Sequence, residues 1–251
     1  METTILNRKK QIISVLIEEN KNNNRLVFVM HGSSGYKEQP HIKAIAQAFK
    51  DNNYTVVSFD TTNSFGKSFG KFENATTTNY YEDLEDVINW SKKQKWYKEP
   101  FILAGHSLGS MCITLYAEKF PNEIKTLIPV SNVVSMNLED LSKKDMEEWK
   151  KKGIREWTSH SGKLKRLKYS FMEDRMKYNI LKKTDKLIMP VLLIVGEEDI
   201  TTPAKHQKVF YDKLPGEKEF HIIKNAPHTF KDKLHLQELK KYIDNWIKKH
   251  D

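Results

Sequence analysis

FILAGHSLG, residues 101–109, decides the reading of this chain. Residues 101–104 form an apolar run short enough for a strand and apolar enough to be covered on both faces. Gly105-His-Ser-Leu-Gly109 follows, in the pattern G-x-S-x-G, and residues 108–119 then read as a helix stopped by Pro121. A serine at a sharp strand-to-helix turn needs a strained backbone. Side chains two residues before and after it would clash, so glycine is required at both places. The helix N-terminus then points at the place where negative charge develops on a reacting carbonyl. Ser107 is therefore the candidate nucleophile.

On either side of this segment, strands alternate with amphipathic helices. Residues 11–18 (QIISVLIE) and 25–30 (RLVFVM) read as strands joined by the polar turn 20–24, which suggests a hairpin. Strands are also expected at 54–59, 126–130, 191–195 and 219–223, with helices at 42–51, 80–95, 204–214 and 234–248. Repeated strand–helix–strand units argue for an α/β fold with a mostly parallel central sheet and helices on both faces. The alternation breaks at residues 135–185. There, 138–152 looks like a helix running from acidic to basic, and 157–171 holds a Ser-Gly turn between partly alternating flanks, as in a β-hairpin. The expected organisation is one domain over residues 1–251, with 135–185 as an insertion.

A serine hydroxyl needs a base. Of the nine histidines, His228 is the best placed. It lies in NAPHTF, residues 225–230, between the last strand and the closing helix, at the carboxyl end of a strand where open α/β sheets put their sites. His206 and His235 fall in expected surface helices, and His221 within a strand. The acid that orients the histidine is expected after it leaves the strand VLLIVG. Asp199 fits the chain order nucleophile, acid, histidine, with Glu197 and Glu198 as neighbouring rivals. An oxyanion hole needs two backbone N–H groups. Leu108 supplies one by position, and the glycine-rich loop His31-Gly-Ser-Ser-Gly35 after RLVFVM supplies the other, assigned to Ser33.

The bulk composition fits this reading. The chain has 251 residues, 38% hydrophobic and 30% charged, enough for a substantial core. Its formal net charge is +9, and residues 143–186 carry fifteen Lys or Arg against seven Asp or Glu, so nearly all the excess sits in this one segment. A solvated lysine-rich surface explains this; an electrostatic guide for an anionic substrate is the sharper alternative. The N-terminus METTILNRKKQ has no apolar core like that of a secretory signal, no apolar run is long enough to span a membrane, and Cys112 is alone, so the cytosol is the default location. No zinc-spaced Cys/His cluster and no phosphate-cradling loop is present, so neither a metal nor an organic cofactor is expected.

Together, the loop His31 to Gly35, the turn Gly105 to Gly109, the Gly196-x-x-Asp199 turn and His228 resemble the α/β-hydrolase superfamily across essentially the whole chain. Within it the chain is similar to small-lid bacterial esterases, among them cinnamoyl and feruloyl esterases and monoacylglycerol-lipase-like enzymes. The resemblance implies that residues 135–185 are a lid over the acyl or alcohol pocket, and that Trp157, Phe171 and Met172 contact substrate; anchoring the lid is the equal alternative for these three. Two positions depart from the pattern: Thr62 stands where relatives often carry arginine, and Ser110 where they often carry glycine. The activity implied is that of a serine carboxylesterase. An amidase, peptidase or thioesterase on the same residues is the alternative, and a non-catalytic binding module a more distant one. The expected partner is a small-molecule ester, with no nucleic acid and no membrane span; a homodimer is left open.

Overall fold

The structure is a computed structural model that describes every residue except 22–24, 139–141, 159–161, 163 and 251. Among the described residues, ten strands and seven α-helices run in the order β1 (Glu2–Leu6), β2 (Ile12–Glu18), β3 (Leu26–Met30), α1 (Pro40–Asp51), β4 (Thr55–Phe59), α2 (Thr77–Ser91), β5 (Phe101–His106), α3 (Leu108–Lys119), β6 (Ile124–Val130), α4 (Lys143–Lys152), β7 (Ile154–Thr158), β8 (Leu164–Lys168), α5 (Ser170–Arg175), β9 (Val191–Gly196), α6 (Ala204–Lys213), β10 (Lys218–Ile223) and α7 (Lys233–His250).

Eight strands form one sheet in the order β1-β2-β4-β3-β5-β6-β9-β10. From β4 to β10 every neighbour is parallel, and β1 and β2 close one edge antiparallel. Strands β3, β4 and β5 are buried at every residue, which is why their sequences read as continuous apolar runs rather than alternating ones. Successive side chains go to opposite faces. Val27 and Val29 join Ile42 and Phe49 of α1 and Leu239 and Trp246 of α7 on one face. Phe28 and Met30 join Leu84 of α2, Met111 of α3 and Phe210 of α6 on the other.

The expected hairpin between residues 11–18 and 25–30 does not form. β4 lies between β2 and β3, antiparallel to the first and parallel to the second. Short-range pattern suggested the pairing, but β3 is buried on both faces and takes two parallel partners, β4 and β5. Part of the linking turn, residues 22–24, lies outside the described residues. Strand β1, absent from the sequence reading, is an edge strand with one buried residue in five, too faint a pattern to detect.

Residues between β6 and β9 hold α4, the antiparallel pair β7–β8 and α5. The expected helix begins later, at Lys143, capped by Ser142, whose Oγ accepts from the Asp145 N–H; residues 139–141 lie outside the described set. The expected hairpin is present as β7 and β8, with residue 161 of its Ser-Gly turn outside the described residues; Ser170 and Phe171, at its expected end, belong to α5 instead. Among the described residues no helix is long and apolar enough to cross a membrane.

Candidate active site

β5 delivers Ser107 to the first turn of α3. Its φ is +56°, in the half of the map that a serine occupies only when its surroundings hold it there, at a cost of about 1–3 kcal/mol. The Ser107 N–H donates to the Val130 carbonyl at 2.9 Å, tying the turn to β6. The close approach of α3 requires Gly109: a Cβ there would run into the carbonyl oxygens of Met30 and His31. Ser110 is no gap in the pattern. Its buried Oγ donates to the Gly105 carbonyl at 2.5 Å and accepts from the Val130 N–H at 3.0 Å, clamping β5 to β6.

His228, in the turn between β10 and α7, sets its Nε2 3.0 Å from Ser107 Oγ and its Nδ1 2.8 Å from Asp199 Oδ2. Asp199 is buried in the turn after β9. Its Oδ1 accepts from the N–H groups of Thr201 (2.9 Å) and Thr202 (2.8 Å), and its Oδ2 from Thr202 Oγ1 (2.8 Å). Burial works to raise its pKa, but the hydrogen bond and charge of His228, with the Thr202 amide, outweigh it and hold the carboxyl at about 2. A carboxylate only accepts, so His228 Nδ1 carries the proton and Nε2 presents a lone pair to Ser107 Oγ. Of the rivals, Glu197 and Glu198 are exposed, and Glu197 accepts from the Asn225 N–H. His221 stacks on Tyr242. His206 does lie in a helix, α6, but is buried rather than on the surface.

The loop after β3 lies directly against the serine. A Cβ at Gly32 would sit 2.8 Å from Ser107 Cβ and 3.1 Å from the His106 carbonyl oxygen. Gly35 N–H donates to the Gly32 carbonyl at 3.0 Å, closing a turn through Ser33 and Ser34. His31 braces it: Nδ1 donates to the Gly32 carbonyl at 2.8 Å and Nε2 accepts from the Thr61 N–H at 3.0 Å. Burial lowers the His31 pKa, so this brace is a neutral imidazole. Leu108 opens α3 on the other side of the serine. The two residues expected to offer oxyanion amides thus lie on segments that flank Ser107.

A family model described as serine aminopeptidase, S33, matches residues 21–175, more than half of the chain. The chain belongs to this α/β-hydrolase family. The matched segment contains the His31 loop and Ser107 and ends before Asp199 and His228. A second model, described as PhoPQ-activated pathogenicity-related protein, matches residues 141–251. Human ABHD12B is 23% identical over 196 residues, 76% of this chain and 50% of that protein, so the chain spans about half the length of this curated relative. Among solved structures, Est1E from Butyrivibrio proteoclasticus with bound ferulic acid aligns at a TM-score of 0.81 and 21% identity, covering 100% of this chain and 98% of that one. Mouse alpha/beta hydrolase domain-containing protein 10 aligns at 0.83 and 20%, covering 100% of both. At these identities the likeness is one of fold: a mostly parallel α/β-hydrolase sheet with helices on both sides.

In this α/β-hydrolase the three residues expected at the substrate lie in or against one apolar cluster. Met172 is buried in the cluster that also holds Leu108 and Met111, and Phe171 and Trp157 pack against it. Trp157 meets Phe72 edge-on at 6.2 Å. Thr62, in place of arginine, donates N–H and Oγ1 to Asp83 Oδ2, both at 2.7 Å. Three features near the site escaped the sequence reading. Thr202 joins the Asp199 carboxylate through two bonds. Lys165 of β8 donates to Ser34 Oγ at 2.7 Å, so the insertion touches the loop beside the serine. His106 packs at a tilt against both His228 and His41. Only the two threonines after Asp199 carried a local signal, as groups able to turn back onto a carboxylate. Among the described residues no group of three or more His, Cys, Asp and Glu side chains is placed to hold a metal ion.

Proposed function

We propose that this chain is a serine carboxylesterase acting on a small or medium ester through an acyl-enzyme. The observation that carries the reading is the continuous hydrogen-bonded line from Asp199 Oδ2 through His228 to Ser107 Oγ, at 2.8 and 3.0 Å. His228 Nε2 takes the proton as Ser107 Oγ attacks the ester carbonyl, and Asp199 stabilises the imidazolium. The Ser33 and Leu108 amides receive the oxyanion. His228 then protonates the departing alkoxide as the C–O bond breaks, leaving an acyl-serine. Water, losing its proton to the same imidazole, attacks this ester and releases the acid.

The whole chain acts as one catalytic domain, and residues 135–185 act as its lid. Ser107 is only 7% exposed, and Lys165 reaches from the insertion to Ser34, which supports a lid resting on the site. Trp157, Phe171 and Met172, continuous with Leu108 and Met111, give that lid an apolar inner side suited to an aromatic or medium-length acyl group. A second reading, hydrolysis of amino-acid amides, is favoured by the family description and uses the same residues.

Hydrolysis of p-nitrophenyl acetate, butyrate and octanoate, of methyl ferulate and of an amino-acid p-nitroanilide by wild type and Ser107→Ala tests the proposal. Ester turnover that vanishes in a folded Ser107→Ala protein is expected. Turnover surviving the substitution would remove Ser107 from the mechanism, and anilide turnover without ester turnover would transfer the assignment to the amidase reading.

A further inference from the structure

The residue between Gly105 and the serine is a histidine with no part in the mechanism above, yet the His228 turn and the Gly32 loop both meet on it. His106 ends β5 and is 3% exposed. Its Nε2 lies 2.7 Å from the main-chain carbonyl oxygen of His228. Its ring centroid is 4.7 Å from that of His228, 4.3 Å from that of His41 on α1 and 6.4 Å from that of Phe230. Its Nδ1 is 3.2 Å from the position a Cβ would take on Gly32, so it also backs the loop that holds Ser33.

We infer that His106 is a positioning residue that sets the general base against the nucleophile, through one N–H donated to the His228 carbonyl and through ring packing on the His228 imidazole. This rests on the hydrolase reading above.

The chemistry of the contact assigns the proton. A carbonyl oxygen only accepts, so Nε2 of His106 must carry its hydrogen and Nδ1 a lone pair. Burial, with His41 and His228 beside it, lowers the His106 pKa well below 6.5, and burial lowers that of His41 to about 3. Both rings therefore stay neutral while His228 cycles through its cation. A neutral ring moves no proton and competes for none, which suits a residue that holds rather than reacts.

Its place in the chain explains why position matters here. Ser107 and His228 are 121 residues apart and ride on strands β5 and β10, which are separated in the sheet by β6 and β9. Within the described turn, Glu198 N–H donates to the Ala226 carbonyl at 3.0 Å and Phe230 N–H to the Pro227 carbonyl at 3.1 Å; both brace the turn from the acid side or from within. The His106 bond links it to the nucleophile strand itself, one residue from Ser107. Misplacing a reacting group by about 1 Å costs on the order of 10² in rate.

His106→Phe keeps a ring and removes the donor; His106→Gln puts an amide N–H close to where Nε2 lies. Both are to be compared with wild type and Ser107→Ala in kcat, KM, fluorophosphonate labelling rate and thermal unfolding. The expected result is that His106→Phe lowers kcat and the labelling rate together by roughly 10–100-fold per folded molecule. KM should stay within about threefold, and His106→Gln should recover most of the loss. A folded His106→Phe protein that labels and turns over like wild type would overturn the inference. So would a His106→Gln protein no better than His106→Phe, or losses that only track the unfolded fraction. These results leave the hydrolase reading intact. Wild type that neither labels nor hydrolyses any of the substrates would overturn both.

Discussion

At Gly32 the absent side chain is the space that Ser107 occupies. Gly32→Ala would bring a methyl group to 2.8 Å from Ser107 Cβ. The His106 carbonyl oxygen would be only 3.1 Å away as well, so the loop or the turn must shift. The expected outcome is a folded protein destabilised by about 1–3 kcal/mol in urea unfolding, with ester turnover reduced far beyond what that predicts. Asp199 offers a second test. Asp199→Asn keeps the shape but offers an N–H where Nδ1–H must donate, so kcat should fall by roughly 10³–10⁴ with the fold retained. The sign of the accompanying pH effect follows from the depressed pKa. The carboxyl sits at about 2 in the folded protein against 3.8 for the free group. It therefore contributes stability above pH 3.8, about 2 kcal/mol, which is lost as pH falls towards 2. Urea midpoints at pH 6 and pH 3 should show the gap between wild type and Asp199→Asn narrowing as pH falls.

Helix α3 shows what an element gives up by being buried on most sides. It runs between the sheet and α2, and Leu108, Met111, Cys112, Ile113, Tyr116 and Ala117 are all covered. Glu118, near its C-terminal end, is covered as well, and its Oε1 has no hydrogen-bond partner among the described residues. Burial pushes its pKa up to about 8 from 4.5, with Lys183 opposing the shift and Asp185 adding to it. The folded state thus holds a proton that the unfolded chain releases above pH 4.5. Stability falls as pH rises from about 4.5 to about 8 and then levels off. Glu118→Gln removes the charge and keeps the shape. It should flatten the profile and be more stable than wild type at pH 8 by on the order of 2 kcal/mol, with little difference at pH 4, as read from urea midpoints.

For the molecule as a whole, α7 closes one face of the sheet and anchors the chain that follows His228. Trp246 is buried, and its Nε1 donates to Thr126 Oγ1 at 2.9 Å, reaching β6 beside β5. Thr126 Oγ1 in turn donates to the Pro190 carbonyl at 2.8 Å, at the entrance to β9. One indole therefore ties the closing helix to two central strands. Trp246→Ala should cost about 3–5 kcal/mol, lowering the melting temperature by roughly 10 °C in calorimetry. The lysine-rich insertion has a different weight. Some of its charges are paired locally, as in Lys152 with Glu148, Arg166 with Glu156 and Lys177 with Asp174, while fifteen bases against seven acids over residues 143–186 leave a net positive surface.

Apart from β1 and α5, the order of strands and helices was legible in the amino-acid sequence, as were the glycine-flanked Ser107 and the positions of Asp199 and His228 at strand ends. Each is written in a local pattern: an apolar run, a helical stripe, a glycine two residues away. Tertiary structure alone decided that β4 would separate β2 from β3, because strand pairing depends on which faces must be covered and not on nearness in the chain. It alone buried Lys37 with Asp60 at 2.7 Å, turned Trp157, Phe171 and Met172 towards one apolar cluster, and brought the rings of His41, His106 and His228 together from three distant segments. A histidine carries the same letter whether it is solvated, packed or paired. What distinguishes these states is the set of neighbours that the fold brings to it, and His106 and His228 meet each other across 122 residues of chain.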